Sequence, residues 1–137
     1  MDKALADDLM RDEGVRLKPY YCSAGRLTIG VGRNLEDVGI TTVEAMDMLG
    51  HDIDRVVDEL NAALPWWLEL PEPAQRGLAN MCFNLGLSRL LKFKKMLLAL
   101  ETGDYEVAAT EALDSLWACQ VGTRADRIAE LFRGRSL

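Results

Sequence analysis

With 137 residues, 49% of them apolar and 28% charged, the chain can bury one real core and is not disordered in bulk. Its net charge of −6 argues against a general nucleic-acid binder, which shows a basic excess. Three cysteines without paired spacing (Cys22, Cys82, Cys119) and a single histidine, His51, speak against a disulfide framework and a metal centre.

The start, MDKALADDLMRDEG, is studded with acids and lacks the apolar run of a secretory signal. No window approaches the roughly 18 apolar residues of a membrane span. Residues 2–13 read as a short amphipathic helix, with Leu5, Leu9 and Met10 on one face and Gly14 as its stop. Residues 15–33 alternate as a two-strand ribbon that turns near Gly25. A hairpin that short is marginal alone and needs a helix behind it.

A loop, Asn34 to Ile40, leads to Thr41-Thr42-Val43-Glu44, a capping box with Thr41 as N-cap. The helix it opens, about 42–63, is the longest in the chain. Met46, Leu49, Ile53, Val56, Val57 and Leu60 repeat along it at intervals of three and four. Pro65, Trp66 and Trp67 mark a joint, and Pro71 and Pro73 open the next helix, which stops at Gly86. Residues 88–101 supply one or two helices carrying the basic run Arg89, Lys92, Lys94 and Lys95, expected to be a solvated face. Segments 104–113, 116–120 and 123–133 complete a helical lobe. The expected fold is α+β and mostly helical. It has a small ribbon lobe at about 14–41, the long helix as connector, and a helical lobe at about 64–137 that includes the helix at 2–13.

Three residues near the start could carry chemistry. Glu13 ends a helix, where the negative end of the dipole and neighbouring Asp12 both disfavour its charged form, as a general acid requires. Cys22 sits in a turn-like segment with no packing reason to be there, and reads as a base, a nucleophile, a polarizable group holding water or a half-buried small residue. Thr28 is able to orient water, although alone it reads as an ordinary strand threonine. Trp66, Trp67 and Trp117 read as core aromatics, Cys82 and Cys119 as small buried residues, and His51 as a surface residue.

The order Glu13, eight residues, Cys22, five residues, Thr28, then Ile-Gly-Val-Gly, resembles the catalytic signature of the T-even phage-type lysozymes, the muramidase endolysins of glycoside hydrolase family 24. That pattern is Glu-x8-(Asp or Cys)-x5-Thr, and this chain takes the rarer Cys branch. Asn80-Met81-Cys82-Phe83-Asn84-Leu85-Gly86 is similar to the family's Asn-Met-x-Phe helix end. Trp117, Gln120, Arg124 and Arg127 are similar to its C-terminal tryptophan–glutamine–arginine block.

The resemblance implies peptidoglycan as substrate, cleaved at the β-1,4 link after N-acetylmuramic acid, with no cofactor. Glu13 would protonate the leaving oxygen while Cys22 and Thr28 hold water on the opposite face, giving inversion. A thiol acting as nucleophile would give retention instead. Asn80, Asn84, Trp117, Gln120 and Arg124 would bind substrate, and Asn84 equally suits a helix cap beside Gly86. Asp12 would pair with Arg124, and Arg33 with Asp52, as structural ties. A monomer is expected that needs a holin or another export route, accumulates in the host cytoplasm and acts on the cell wall. The competing readings are a lytic transglycosylase on the same fold and a catalytically weak wall-binding module.

Overall fold

The computed structural model describes residues 2–135. Helix α1 (Lys3–Glu13) starts where the Asp2 carboxylate accepts a bond from the Ala4 amide, and it ends at Gly14. Leu5, Leu9 and Met10 share a face, as the spacing predicts, and all three are exposed.

Three antiparallel strands follow in the order β1 (Arg16–Tyr21), β2 (Leu27–Gly30) and β3 (Arg33–Asn34). The sequence suggests only two of them. β3 is two residues long, too short to show alternation, and it exists because Thr28 pairs with Asn34 and Ile29 with Arg33. The β1–β2 ladder pairs Arg16 with Gly30 and Tyr20 with Thr28, so β1 carries an irregularity between those points. Pro19 lies inside it, and a residue with no N–H to donate suits a bulge. The bulged strand also carries the Arg16 guanidinium over the Tyr20 ring, 4.4 Å from its centroid.

Helix α2 (Thr42–Ala63) opens with the expected capping box. The Glu44 amide donates to Thr41 Oγ1 at 3.1 Å, and the Thr41 amide donates to Glu44 Oε1 at 2.9 Å. Its apolar stripe divides: Val56 and Leu60 are buried, whereas Met46, Leu49 and Ile53 are exposed. The chain forms two compact units, Met1–Met48 and Leu49–Leu137, so the division falls within this helix.

The second unit is all helical. A 3-10 turn at Pro65–Glu69 precedes α3 (Glu72–Leu85), α4 (Leu87–Leu90), α5 (Lys94–Thr102), α6 (Tyr105–Leu113), α7 (Leu116–Val121) and α8 (Thr123–Phe132). The segment after Gly86 thus yields two helices, and the basic residues on them are exposed. Leu60, Leu78, Met81, Leu90, Met96, Leu100, Ile128 and Phe132 form the fully buried centre. α3 lies close against α8 because Gly77 has no side chain: a Cβ there would stand 3.1 Å from Phe132 Cε1 and 3.2 Å from Leu131 Cβ. Trp67 and Trp117 are buried, Cys82 is buried and His51 is exposed, all as expected. Cys119 departs from expectation. It is exposed on the outer face of α7, a helix of six residues whose buried position is Trp117.

The architecture is therefore α+β and predominantly helical, with one small antiparallel sheet. Among the described residues, no helix is long and apolar enough to cross a membrane.

Candidate active site

In the first unit the two ends of the β1–β2 hairpin carry the residues singled out by their spacing. The loop is closed by the Cys22 amide donating to the Arg26 carbonyl (3.0 Å) and the Gly25 amide donating to the Cys22 carbonyl (2.9 Å). This folds the chain so that the amides of Arg26 and Ala24 point at the Cys22 thiol. They hold its pKa below the usual thiol value, Arg26 contributing most, and partial burial opposes them. The nearby Thr28 side chain lowers it further. Cys22 and Thr28 are thus brought together, as the signature requires.

Thr28 is 3% exposed, and it is the buried polar side chain among the described residues. Its Oγ1 donates to the Arg26 carbonyl at 2.8 Å, which satisfies the hydroxyl and sets its direction. The start of β2 is fastened from a third side. The Leu27 amide donates to Glu36 Oε1 at 3.0 Å, and Arg26 pairs with both Glu36 (3.5 Å) and Asp37 (3.7 Å).

Glu13 is the last residue of α1, and its exposed side chain lies over the backbone of Gly32. Asp12 pairs with Arg11 on its own helix at 3.2 Å. Arg33, next after Gly32, takes Glu44 as its partner and not Asp52. The pair is bidentate, with both bonds at 2.9 Å, and Arg33 Nη1 also donates to the Gly39 carbonyl at 3.0 Å. Asp52 pairs with Arg55 one turn along α2. The capping box already holds the Glu44 carboxylate at the helix start with a fixed orientation. A planar guanidinium then meets it with both N–H groups. Arg33 first, and the Thr41 amide and hydroxyl after it, hold the Glu44 carboxyl down to about 2.

In the second unit α3 presents two asparagines one turn apart, and each is tied across to another helix. Asn80 Oδ1 accepts from Arg124 Nε on α8 at 3.0 Å. Asn84 Oδ1 accepts from the Trp117 indole on α7 at 2.8 Å. Trp117 is enclosed, edge-on to Phe93 with ring centroids 6.3 Å apart. A ring so placed presents its indole N–H to Asn84. Gln120 is exposed on α7. Asn80 and Arg124 border a groove of about 400 Å³ whose floor is Leu49, Ile53, Val56, Val57, Ala79 and Phe83.

Two functional features that residue spacing did not disclose are the Gly32 contact with Glu13 and the double duty of Glu44. Gly30-Val31-Gly32 was a visible signal for the first, because paired glycines at a strand end mark a backbone that something approaches. The Thr41–Glu44 box was a signal for the second, but only its capping half was readable.

The sequence model of the phage lysozyme family matches residues 10–135. The chain belongs to the phage lysozyme family. It is 31% identical to the pre-baseplate central spike protein of Enterobacteria phage T4, over 91% of this chain and 27% of that protein. It therefore spans about a quarter of the spike protein's length. It is 35% identical to an endolysin of Acyrthosiphon pisum secondary endosymbiont phage 1, over 75% of this chain and 70% of that one. A probable T4-type lysozyme of Dictyostelium discoideum is 25% identical, over 100% of this chain and 98% of its own. As a phage lysozyme, the chain is a glycoside hydrolase, and peptidoglycan is the substrate class of its family.

Proposed function

We propose that this phage lysozyme hydrolyses the β-1,4 bond after N-acetylmuramic acid, with Glu13 as general acid and Cys22 with Thr28 as the water-activating pair. Glu13 gives its proton to the glycosidic oxygen as that bond breaks. A water on the opposite face adds to the anomeric carbon and releases its proton to the Cys22 thiolate. The product sugar has inverted configuration, the outcome of sites that leave roughly 6.5–9.5 Å between acid and base for a water. The observation that carries the reading is the enclosed Thr28 hydroxyl beside a thiol whose anion the Arg26 and Ala24 amides favour. A side chain that only filled space under the hairpin would have no use for those donors.

Asn80, Asn84, Gln120 and Arg124 are proposed to bind the sugar amides, with Trp117 holding Asn84 in place. Similarity to an endolysin along most of its length supports a free lytic enzyme, made in the host cytoplasm and released through a holin or another route. Similarity to a spike protein makes carriage on the particle the alternative.

The test is lysis of permeabilised Gram-negative cells, followed as turbidity, by the parent and by Glu13→Gln. The parent clears the suspension and the variant does not; equal clearing by both removes the assignment of Glu13. Mass spectrometry of the digest is expected to show reducing muramic acid ends. Anhydro-muramic ends would instead assign a transglycosylase, and intact glycan with wall binding would assign a binding module.

A further inference from the structure

A general acid is only as good as its aim. The enzyme must hold the Glu13 carboxyl within hydrogen-bond reach of the bridging oxygen, and a misplacement of about 1 Å can cost on the order of 100-fold in rate. Yet Glu13 is exposed at a helix terminus, where a glutamate has three free torsions and no reason to choose one direction. What lies against it is the backbone of Gly32. A Cβ built on Gly32 would stand 2.9 Å from Glu13 Oε2, 3.0 Å from Cδ and 3.2 Å from Cγ, so the carboxyl arm occupies the place a side chain would take.

We propose that Gly32 is a positioning residue for catalysis: its bare backbone is the seat on which the Glu13 carboxyl arm rests. This rests on Glu13 being the general acid. The seat is itself fixed from both sides. Gly30, two residues earlier, pairs with Arg16 across the sheet. Arg33, the next residue, pairs with Ile29 in β2, clamps Glu44 through two bonds of 2.9 Å and reaches the Gly39 carbonyl. Gly32 is therefore held between two anchored neighbours, and an added methyl would displace the flexible partner, which is the acid. To reach an ordinary contact of 3.4 Å the carboxylate oxygen would have to move by about half an ångström at least.

The chain contains its own control. Gly30 and Gly32 have nearly the same backbone conformation, φ 69° and 66°, but a Cβ on Gly30 meets nothing within 4 Å. Alanine at either position carries the same left-handed strain, and only alanine at 32 touches Glu13. Gly30→Ala and Gly32→Ala are expected to lower the melting temperature alike. Only Gly32→Ala is expected to lose kcat, by about 10-fold or more, with KM unchanged and the pH–rate profile displaced. Equal kcat losses in the two glycine variants, or a parent-like kcat and pH profile for Gly32→Ala, would overturn the proposal.

If Gly32→Ala does not fold, the parent protein decides by NMR. Cross-relaxation between the Gly32 α-protons and the Glu13 γ-protons is expected, and its absence overturns the seat. Glu13→Gln separates the two levels: an active Glu13→Gln removes the general acid and the seat together, whereas an inactive one beside a parent-like Gly32→Ala removes only the seat.

Discussion

Cys22 and Cys82 show how the same side chain takes opposite character from its surroundings. Amides of Arg26 and Ala24 and the Thr28 hydroxyl favour the thiolate of Cys22. Burial, with Glu59 nearby, pushes the Cys82 thiol up to about 11. The thiolate is the reactive form, and a buried thiol is inert. In a Cys119→Ser variant, which removes the other accessible thiol, iodoacetamide is expected to label one residue, Cys22, and lysis should fall in step with labelling. Because the thiolate forms as protons leave, the labelling rate rises with pH, and its midpoint lies below that of an ordinary thiol. Mass spectrometry of the labelled peptide and residual turbidity clearing, read together, check this. Full activity after complete modification of Cys22 would remove the thiol from the mechanism. That Cys22 and Thr28 belong together was legible in their spacing. Which donors surround the sulfur was not, because the hairpin loop that aims the Arg26 amide depends on its closure.

The helix start at Thr41 shows one carboxylate serving two elements. Glu44 completes the capping box of α2 and also receives Arg33 from β3. Helix and sheet within the first unit are joined through this one group. The Glu44 carboxyl titrates near 2 when folded and near 4.5 without these partners, so folding favours the charged form. Its stabilising effect is complete above about pH 4.5 and is lost as pH falls toward 2. Glu44→Gln is therefore expected to melt earlier than the parent at pH 7, with the gap narrowing steadily between pH 5 and pH 2. Thermal denaturation across that range checks the sign; a constant gap would mean that the carboxylate charge is not what matters. Thr41→Ala, which removes the hydroxyl half of the box, should cost about 1 kcal/mol at pH 7. The box was readable from Thr41 and Glu44 three residues apart. The identity of the Arg33 partner was not, since Asp52 and Glu44 lie on the same helix and only the path of residues 34–41 brings Glu44 within reach.

For the molecule as a whole, stability concentrates in the helical unit, where the fully buried side chains lie. Gly77 is the point at which two opposing effects can be weighed there. Alanine in a helix interior is favoured over glycine by about 1 kcal/mol. At this position, though, its methyl would press on Phe132 and Leu131 at 3.1–3.2 Å. Phe132 is fully buried and has no room to yield, and overpacking a dense core costs about 1–3 kcal/mol. Gly77→Ala is accordingly expected to be destabilising by about 1 kcal/mol net, read as a lower urea midpoint with the slope unchanged. A higher midpoint would show that α3 and α8 can separate without loss.

Local chemistry determined a good deal by itself. The helix bounded by Gly14, the capping box at Thr41, the proline-led helix ending at Gly86 and the Glu13–Cys22–Thr28 spacing are short-range features, decided by residues within one or two turns of each other. Those features alone were sufficient to point to the family and to an α+β, mostly helical chain. The rest had to wait for the fold. The third strand, the enclosure of Thr28, the Arg33–Glu44 clamp, the Trp117–Asn84 bond and the contact of Glu13 with Gly32 all join residues whose separation along the chain leaves many partners open. Chain connectivity restricts which groups can meet, but packing selects one set among them. Burial, closure of hydrogen bonds and the absence of a single Cβ made that selection here.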